Sequence, residues 1–299
     1  MLNNIKIITI IGLGLIGSSI LRAIDKNLKN KFFIKVYDKN PENAKYIKKE
    51  KLANEICKSI ETSVIESDLV ILAVPVGSMV EIGKSMKKNL KVGSIVTDTG
   101  STKISVIKDL SPLIPKGVIF IPSHPLAGTE NSGPGAGFAS LFSGRYWIII
   151  SEKENKHSKV LESLYKIFGS KVEFMDASYH DKILAITSHL PHLIAYSIVD
   201  TASNLENDLK EDVIRFSATG FRDFTRLASS DPVMWRDVFL NNSTSVLEML
   251  QRFNEDLTTL QKLIRKKDSS RLFEFFKKTK TIRSKIIDAN QHLPEDLKS

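Results

Sequence analysis

A run of strand-forming residues, Ile5 to Ile11, leads without a break into Gly12-Leu13-Gly14-Leu15-Ile16-Gly17. No other stretch restricts the fold so tightly. A β-branched segment of this kind is typical of a buried parallel strand. In the turn that follows, Gly12 permits the sharp reversal, Gly14 lets a pyrophosphate approach the backbone, and Gly17 lets a helix lie close on the strand. The helix expected over residues 15–27 aims its free amides and dipole at the phosphates. A second strand, Phe33 to Tyr37, ends at Asp38, about 20 residues past Gly17. Its carboxylate is placed to accept hydrogen bonds from ribose hydroxyls and to repel a 2′-phosphate, which favours NAD. Lys39 beside it keeps NADP open. A glycine turn with a solvated acid is the plainer alternative; strand, turn, helix and acid in this order argue against it.

Strands and helices continue to alternate. Apolar runs at 69–74, 95–97, 118–121, 146–150 and 172–175 read as strands, with helices near 41–50, 76–88, 102–111 and 156–168. The rhythm predicts one mostly parallel, doubly wound sheet, that is, an α/β Rossmann-type domain over residues 1–175. Val74 and Pro75, closing one strand, and Gly100, after another, are expected beside the cofactor. Ser101 suits a loop facing that crevice, and it could also, without excluding this, cap the next helix. From residue 176 the pattern is helical to about Asp288, giving a second, all-helical domain over 176–299. Asp176 and Asp231-Pro232 read as helix starts. Val246, Leu250, Phe253, Leu257, Leu260 and Ile264 alternate steps of four and three, a coiled-coil-like seam. Such a seam suggests a homodimer through the helical domain, with packing inside one subunit as the alternative.

The 299 residues carry a formal charge of +9, but the lysines are scattered and no nucleic-acid motif appears, so a field drawing in small anions is preferred to nucleic-acid binding. One cysteine, Cys57, excludes an intrachain disulfide and points to a reducing, cytoplasmic setting. Residues Ile7 to Leu21 are uncharged like a signal-peptide core, yet glycines interrupt them at cofactor-loop spacing. No other apolar run is long enough to span a bilayer.

Three further clusters carry candidate chemistry. Ser123-His124-Pro125-Leu126-Ala127-Gly128-Thr129-Glu130 follows an apolar strand and precedes the turn-rich loop 131–137, which puts His124 on a loop just past a strand end. Ser188-His189-Leu190-Pro191-His192 places two histidines on one helix face beside a kinking proline. No further ligands accompany them, so a pocket lining is preferred to a metal site. In Thr219-Gly220-Phe221-Arg222-Asp223-Phe224-Thr225-Arg226, Arg222 and Arg226 share a face. Either they grip a carboxylate or they are surface arginines paired with acids.

Taken together, these motifs resemble the prephenate/arogenate dehydrogenases of tyrosine biosynthesis. Gly-Leu-Gly-Leu-Ile-Gly at 12–17, Asp-Thr-Gly-Ser at 98–101, Ser-His-Pro-Leu-Ala-Gly-Thr-Glu at 123–130, Ser-His-Leu-Pro-His at 188–192, Thr-Gly-Phe-Arg-Asp-Phe-Thr-Arg at 219–226 and Asp-Pro-Val-Met-Trp at 231–235 stand in the family's order. The resemblance implies NAD-dependent oxidative decarboxylation of a cyclohexadienol, prephenate and/or arogenate. It implies that His124 takes the ring-hydroxyl proton, that Ser101 supports that hydroxyl, and that Arg226 grips the ring carboxylate with Asp223 orienting it. His189 and His192 would line the pocket, with Glu130 and Trp235 near the substrate's far end. No regulatory domain or fused mutase is expected. The competing readings are a β-hydroxyacid dehydrogenase, which needs a helix lysine such as Lys182, and a non-catalytic NAD(H) sensor.

Overall fold

The computed structural model describes residues 2–151, 154–205, 211–213 and 215–288. Six strands, β1 (Ile7–Ile11), β2 (Phe33–Tyr37), β3 (Glu55–Ile56), β4 (Leu69–Leu72), β5 (Ile95–Asp98) and β6 (Ile119–Phe120), form one sheet in the order β3-β2-β1-β4-β5-β6. Every neighbouring pair is parallel. The strand order reverses between β1 and β4, and ligands bind at the C-terminal edge of such a reversal. Helices α1 (Leu15–Asn27), α2 (Pro41–Lys49), α3 (Ile60–Ser63), α4 (Met79–Met86) and α5 (Ile104–Leu110) connect the strands. Two apolar clusters result, one containing Ile8, Ile10 and Ile20 and the other Ile11, Leu72 and Met79.

The expected single sheet is corrected here. Residues 146–150 and 171–175 do form strands, but they leave the main sheet and join a separate three-stranded one. It consists of β7 (Ser123–Pro125), β8 (Tyr146–Ile150) and β9 (Lys171–Met175), in the order β7-β8-β9. The division has a local cause. β6 pairs with β5 through Ile119 N to Ser94 O and Ile121 N to Val96 O, each 2.9 Å. Pro122 then interrupts the strand, and Ser123 N turns to the Asp98 carboxylate (3.3 Å) while Ser123 Oγ donates to Asp98 O (2.8 Å). The chain peels off and pairs antiparallel with β8, with His124 opposite Ile148. His124 therefore lies within a short strand, not on a loop past a strand end. Between β8 and β9 runs α6 (Ser158–Ile167), whose Tyr165 stacks on Trp147 at 3.8 Å.

Beyond Asp176, which caps α7 (Ala177–Leu184) by accepting from Tyr179 N, the described residues are mostly helical. A π-turn at Ala185–His189 leads into α8 (Leu190–Ser203). The proline expected to kink this helix is Pro191; lacking an amide, it sits just beyond the π-turn that absorbs the disruption. The segment Ala177–Ser203 is long and apolar enough, by length and composition, to cross a bilayer, which corrects the expectation that no such run exists. It nevertheless buries Asp181, whose carboxylate is bound by amides of α5. There follow α9 (Thr219–Thr225), α10 (Pro232–Asn241), capped by Asp231 as expected, α11 (Ser243–Arg265) and α12 (Ser269–Asp288). Along the α11 seam only Val246 is buried; Leu257 and Ile264 stand 41% and 62% exposed.

Candidate active site

The glycine turn has the shape a dinucleotide needs. Gly12 has φ +94°, and a Cβ there would lie 2.3 Å from Ala73 O; a Cβ on Gly17 would lie 1.9 Å from Gly12 O. Only glycine fits at either position. A Cβ on Gly14 would meet nothing within 4 Å, so the backbone at the start of α1 is open on the side where a pyrophosphate approaches. Val74 packs against the turn, since its Cγ1 would lie 2.7 Å from a Gly12 Cβ, and Pro75 is exposed next to it. Asp38, at the end of β2, accepts from Leu13 N (2.6 Å) and Asn40 N (2.7 Å), which fixes the carboxylate beside the turn. Each oxygen keeps lone-pair capacity for a ribose hydroxyl.

The loop after His124 closes over this helix. Arg22 Nη1 donates to Pro134 O (3.1 Å), Phe138 N donates to Ser19 Oγ (3.1 Å), and a Cβ on Gly137 would collide with Ser18 Oγ.

His124 is 8% exposed. Its Nδ1 lies 2.9 Å from Nε2 of His180, and Nδ1 of His180 lies 2.8 Å from Oδ1 of Asp181. Asp181 also accepts from Lys103 N (2.8 Å) and Ile104 N (2.9 Å). It thereby caps α5 from another helix. Ser101 does not cap α5: the helix starts at Ile104, and its open amides are taken by Asp181. Ser101 is half-buried one residue past Gly100, whose amide donates to Asp98 Oδ2 (2.8 Å). Lys103 Nζ, fully buried, donates to Asp98 Oδ2 and to Ser123 O (2.8 Å), the carbonyl just before His124. Burial pushes the Lys103 ammonium down, against the pull of Asp98 and Asp181. Burial, then His180, Lys103 and His189, holds His124 well below the usual histidine range. It is a neutral imidazole at physiological pH.

His189 is buried, with Nδ1 3.1 Å from Nδ2 of Asn242, which also donates to Asp181 O (2.8 Å). Because that amide donates, His189 carries its own hydrogen on Nε2, which has no partner among the described residues. Burial lowers its pKa to about 4. His192 donates from Nδ1 to Ser188 O (2.9 Å) and stacks on Trp235 at 3.6 Å. Trp235 is buried, its Nε1–H also without a partner among the described residues. Both are buried donors unpaired among the described residues, where buried polar groups are ordinarily hydrogen-bonded.

Arg226, 58% exposed, donates from Nη1 to Glu130 Oε2 (3.0 Å), joining the helical half to the loop that follows His124. Burial, against the Ser188 hydrogen bond and aided by the Arg226 charge, holds His192 below the usual histidine range. The expectation that Asp223 orients Arg226 is corrected: Asp223 is exposed, and the carboxylate bonded to Arg226 is that of Glu130. The structure thus brings His124, His189, His192, Trp235, Arg226 and Glu130 into one linked neighbourhood. Sequence reasoning missed His180, Asp181 and Asn242. The available signal was a histidine and an acid adjacent on the same buried stripe as Leu184 and Ala185. Lys182, required by the β-hydroxyacid dehydrogenase reading, is 59% exposed and 4.0 Å from Glu248.

Comparison with known proteins agrees with this architecture. The family model of the prephenate dehydrogenase nucleotide-binding domain matches residues 22–173, and that of the prephenate dehydrogenase dimerization domain matches 176–278. The chain belongs to the prephenate dehydrogenase family. It is 40% identical to a cyclohexadienyl dehydrogenase of Zymomonas mobilis over 93% of this chain and 95% of that one. It is 32% identical to a prephenate dehydrogenase of Bacillus subtilis, over 92% of this chain and 75% of the relative. Among solved structures, the prephenate dehydrogenase of A. aeolicus in complex with hydroxyphenyl propionate and NAD+ superposes with a TM-score of 0.87 at 32% identity. The match covers 95% of this chain and 99% of that one.

Proposed function

We propose that this chain catalyses the NAD-dependent oxidative decarboxylation of prephenate and/or arogenate, acting as a homodimer. The observation that carries the reading is the buried neutral His124 beside a dinucleotide-shaped turn, with an arginine from the helical half reaching the loop that follows it. Gly12 to Gly17, Val74, Pro75 and Gly100 would hold the cofactor, and Asp38 its ribose, which favours NAD over NADP. Bound NAD supplies the hydride acceptor.

His124 accepts the ring-hydroxyl proton on Nε2 as hydride leaves the carbon bearing that hydroxyl, so no full oxocarbenium charge builds up. A weakly basic imidazole suffices, because a hydroxyl on an electron-deficient carbon is strongly acidic. Arg226 holds the ring carboxylate, exchanging Glu130 for it. That grip has to relax in the transition state, since the group departs as neutral carbon dioxide and equal binding throughout would not raise kcat. The C–C bonding pair enters the ring, and His124 returns its proton to the resulting phenolate oxygen. Ser101 supports the hydroxyl, while His189, His192 and Trp235 orient the rest of the substrate.

The domain boundary is proposed at residues 175/176, next to the Asp176 cap. The exposed apolar residues of α11 and α12, including Leu257, Ile264 and Phe273, support a dimer through the helical domain. A small-molecule substrate in the cytoplasm completes the reading, and Cys57 suits it: burial raises its thiol to about 11 and keeps it unreactive. The test is NADH formation with prephenate and with arogenate, each with NAD and NADP. Turnover of at least one substrate with NAD is expected; activity with neither would overturn the reading.

A further inference from the structure

We propose that His180 and Asp181 are positioning residues. Asp181, through His180, fixes the proton order of His124, so that Nδ1 carries the hydrogen and Nε2 is left bare for the substrate hydroxyl. This rests on the reading of His124 as the proton acceptor.

A buried hydrogen-bond chain runs from Asp181 through His180 to His124. Both oxygens of Asp181 are already acceptors, Oδ1 for Lys103 N at 2.8 Å and Oδ2 for Ile104 N at 2.9 Å. A carboxylate in that position has no hydrogen to give. Nδ1 of His180, 2.8 Å from Oδ1, must therefore be the donor. His180 is fully buried, and burial holds its pKa down despite Asp181, so the ring is neutral and its Nε2 is a lone pair. Nε2 of His180 faces Nδ1 of His124 at 2.9 Å, and the hydrogen between them can come only from His124. A neutral imidazole with its hydrogen on Nδ1 has a bare Nε2. That atom has no protein hydrogen-bond partner among the described residues, and it is not one of the buried atoms left without one.

The other charged or titratable groups around this chain are Lys103, Asp98 and His189. Lys103 opposes a positive charge on either ring, so an imidazolium formed at His124 depends on the Asp181 charge, relayed through His180, to offset that repulsion. The same carboxylate ties α7 to α5 through two backbone amides. One residue therefore sets both the docking of the helical half and the tautomer of the base.

The first test is the tautomer of His124 in the whole protein without substrate, read by two-bond ¹⁵N–¹H correlation on histidine-labelled enzyme and assigned through His124→Asn. Hydrogen on Nδ1 is expected; hydrogen on Nε2 in the unsubstituted protein overturns the proposal. This readout does not depend on which substrate is used, so it stands apart from a failure to oxidise prephenate. The second test is kinetic. Asp181→Asn keeps an oxygen for His180 and Lys103 N but removes the charge that supports an imidazolium at His124. It should lower kcat at least roughly tenfold, with KM and NAD binding within about threefold. His180→Gln places a carbonyl acceptor near His124 Nδ1 and should retain most of kcat, whereas His180→Leu should not. Equal loss in the Gln and Leu variants, or a rise in KM and cofactor Kd with the tautomer unchanged, would reduce the pair to a structural clamp and overturn the proposal.

Discussion

Replacing Lys103 with methionine should destabilise the protein by about 3 kcal/mol. Lys103 and Asp98 are both 0% exposed, and the ammonium donates to Asp98 Oδ2 and Ser123 O. Removing one partner of a buried pair typically costs about 3–5 kcal/mol, because the remaining charge is left uncompensated. The low end applies here, since Asp98 keeps two amide donors, Gly100 N at 2.8 Å and Ser123 N at 3.3 Å, and methionine nearly fills the same space. For a domain of this size, about 3 kcal/mol lowers Tm by roughly 6–12 °C. Urea unfolding at fixed protein concentration, followed by tryptophan fluorescence, measures the change; Trp147 lies in the same buried network through Nε1 and Ser123 Oγ (3.1 Å). Activity should fall as well, because Ser123 O, the carbonyl Lys103 holds, belongs to the residue before His124. A variant within about 1 kcal/mol of the parent would refute the reasoning, because the pair's attraction would then merely offset its desolvation.

Other outcomes follow from the same geometry. Gly14→Ala should fold normally yet bind NADH weakly, whereas Gly17→Ala should lose stability and binding together, because its Cβ would sit 1.9 Å from Gly12 O; calorimetric titration and thermal melts distinguish the two. Arg226→Ala should raise KM with little change in kcat, and leave stability within about 0.5 kcal/mol because its ion pair is exposed. Acid should weaken the fold: His189 titrates at about 4 when folded and near 6.5 when unfolded, so the unfolded chain takes up the extra proton. Stability should be fully present above about pH 6.5 and fall by about 3 kcal/mol from this residue alone by pH 4, measured as denaturation midpoints against pH. Leu257→Asp on the exposed seam should shift the protein from dimer to monomer in sedimentation velocity.

Local pattern carried much of this molecule. The glycine turn, α1, β2 and β8 fall where periodicity and turn chemistry predict them, and Asp176 and Asp231 cap helices as their positions suggest. What failed was anything set by distant partners. The departure of β7–β9 from the main sheet depends on Pro122 and on the Asp98 carboxylate intercepting Ser123, which apolar runs do not reveal. The α5 cap comes from Asp181 across 77 positions, and the partner of His124 is 56 positions away. Likewise Arg226 met Glu130, 96 positions distant, rather than its neighbour Asp223. Side-chain pairing across domains is fixed by the assembled surfaces, and local spacing does not encode it.

In the proposed reaction, the buried imidazole of His124 borrows a hydroxyl proton while hydride leaves the ring. The most direct measurement is the steady-state rate of NADH appearance with prephenate and with arogenate for His124→Asn. A kcat lower by about 10²–10⁴-fold is expected, with NAD affinity and KM nearly unchanged. Turnover equal to the unsubstituted enzyme would contradict it.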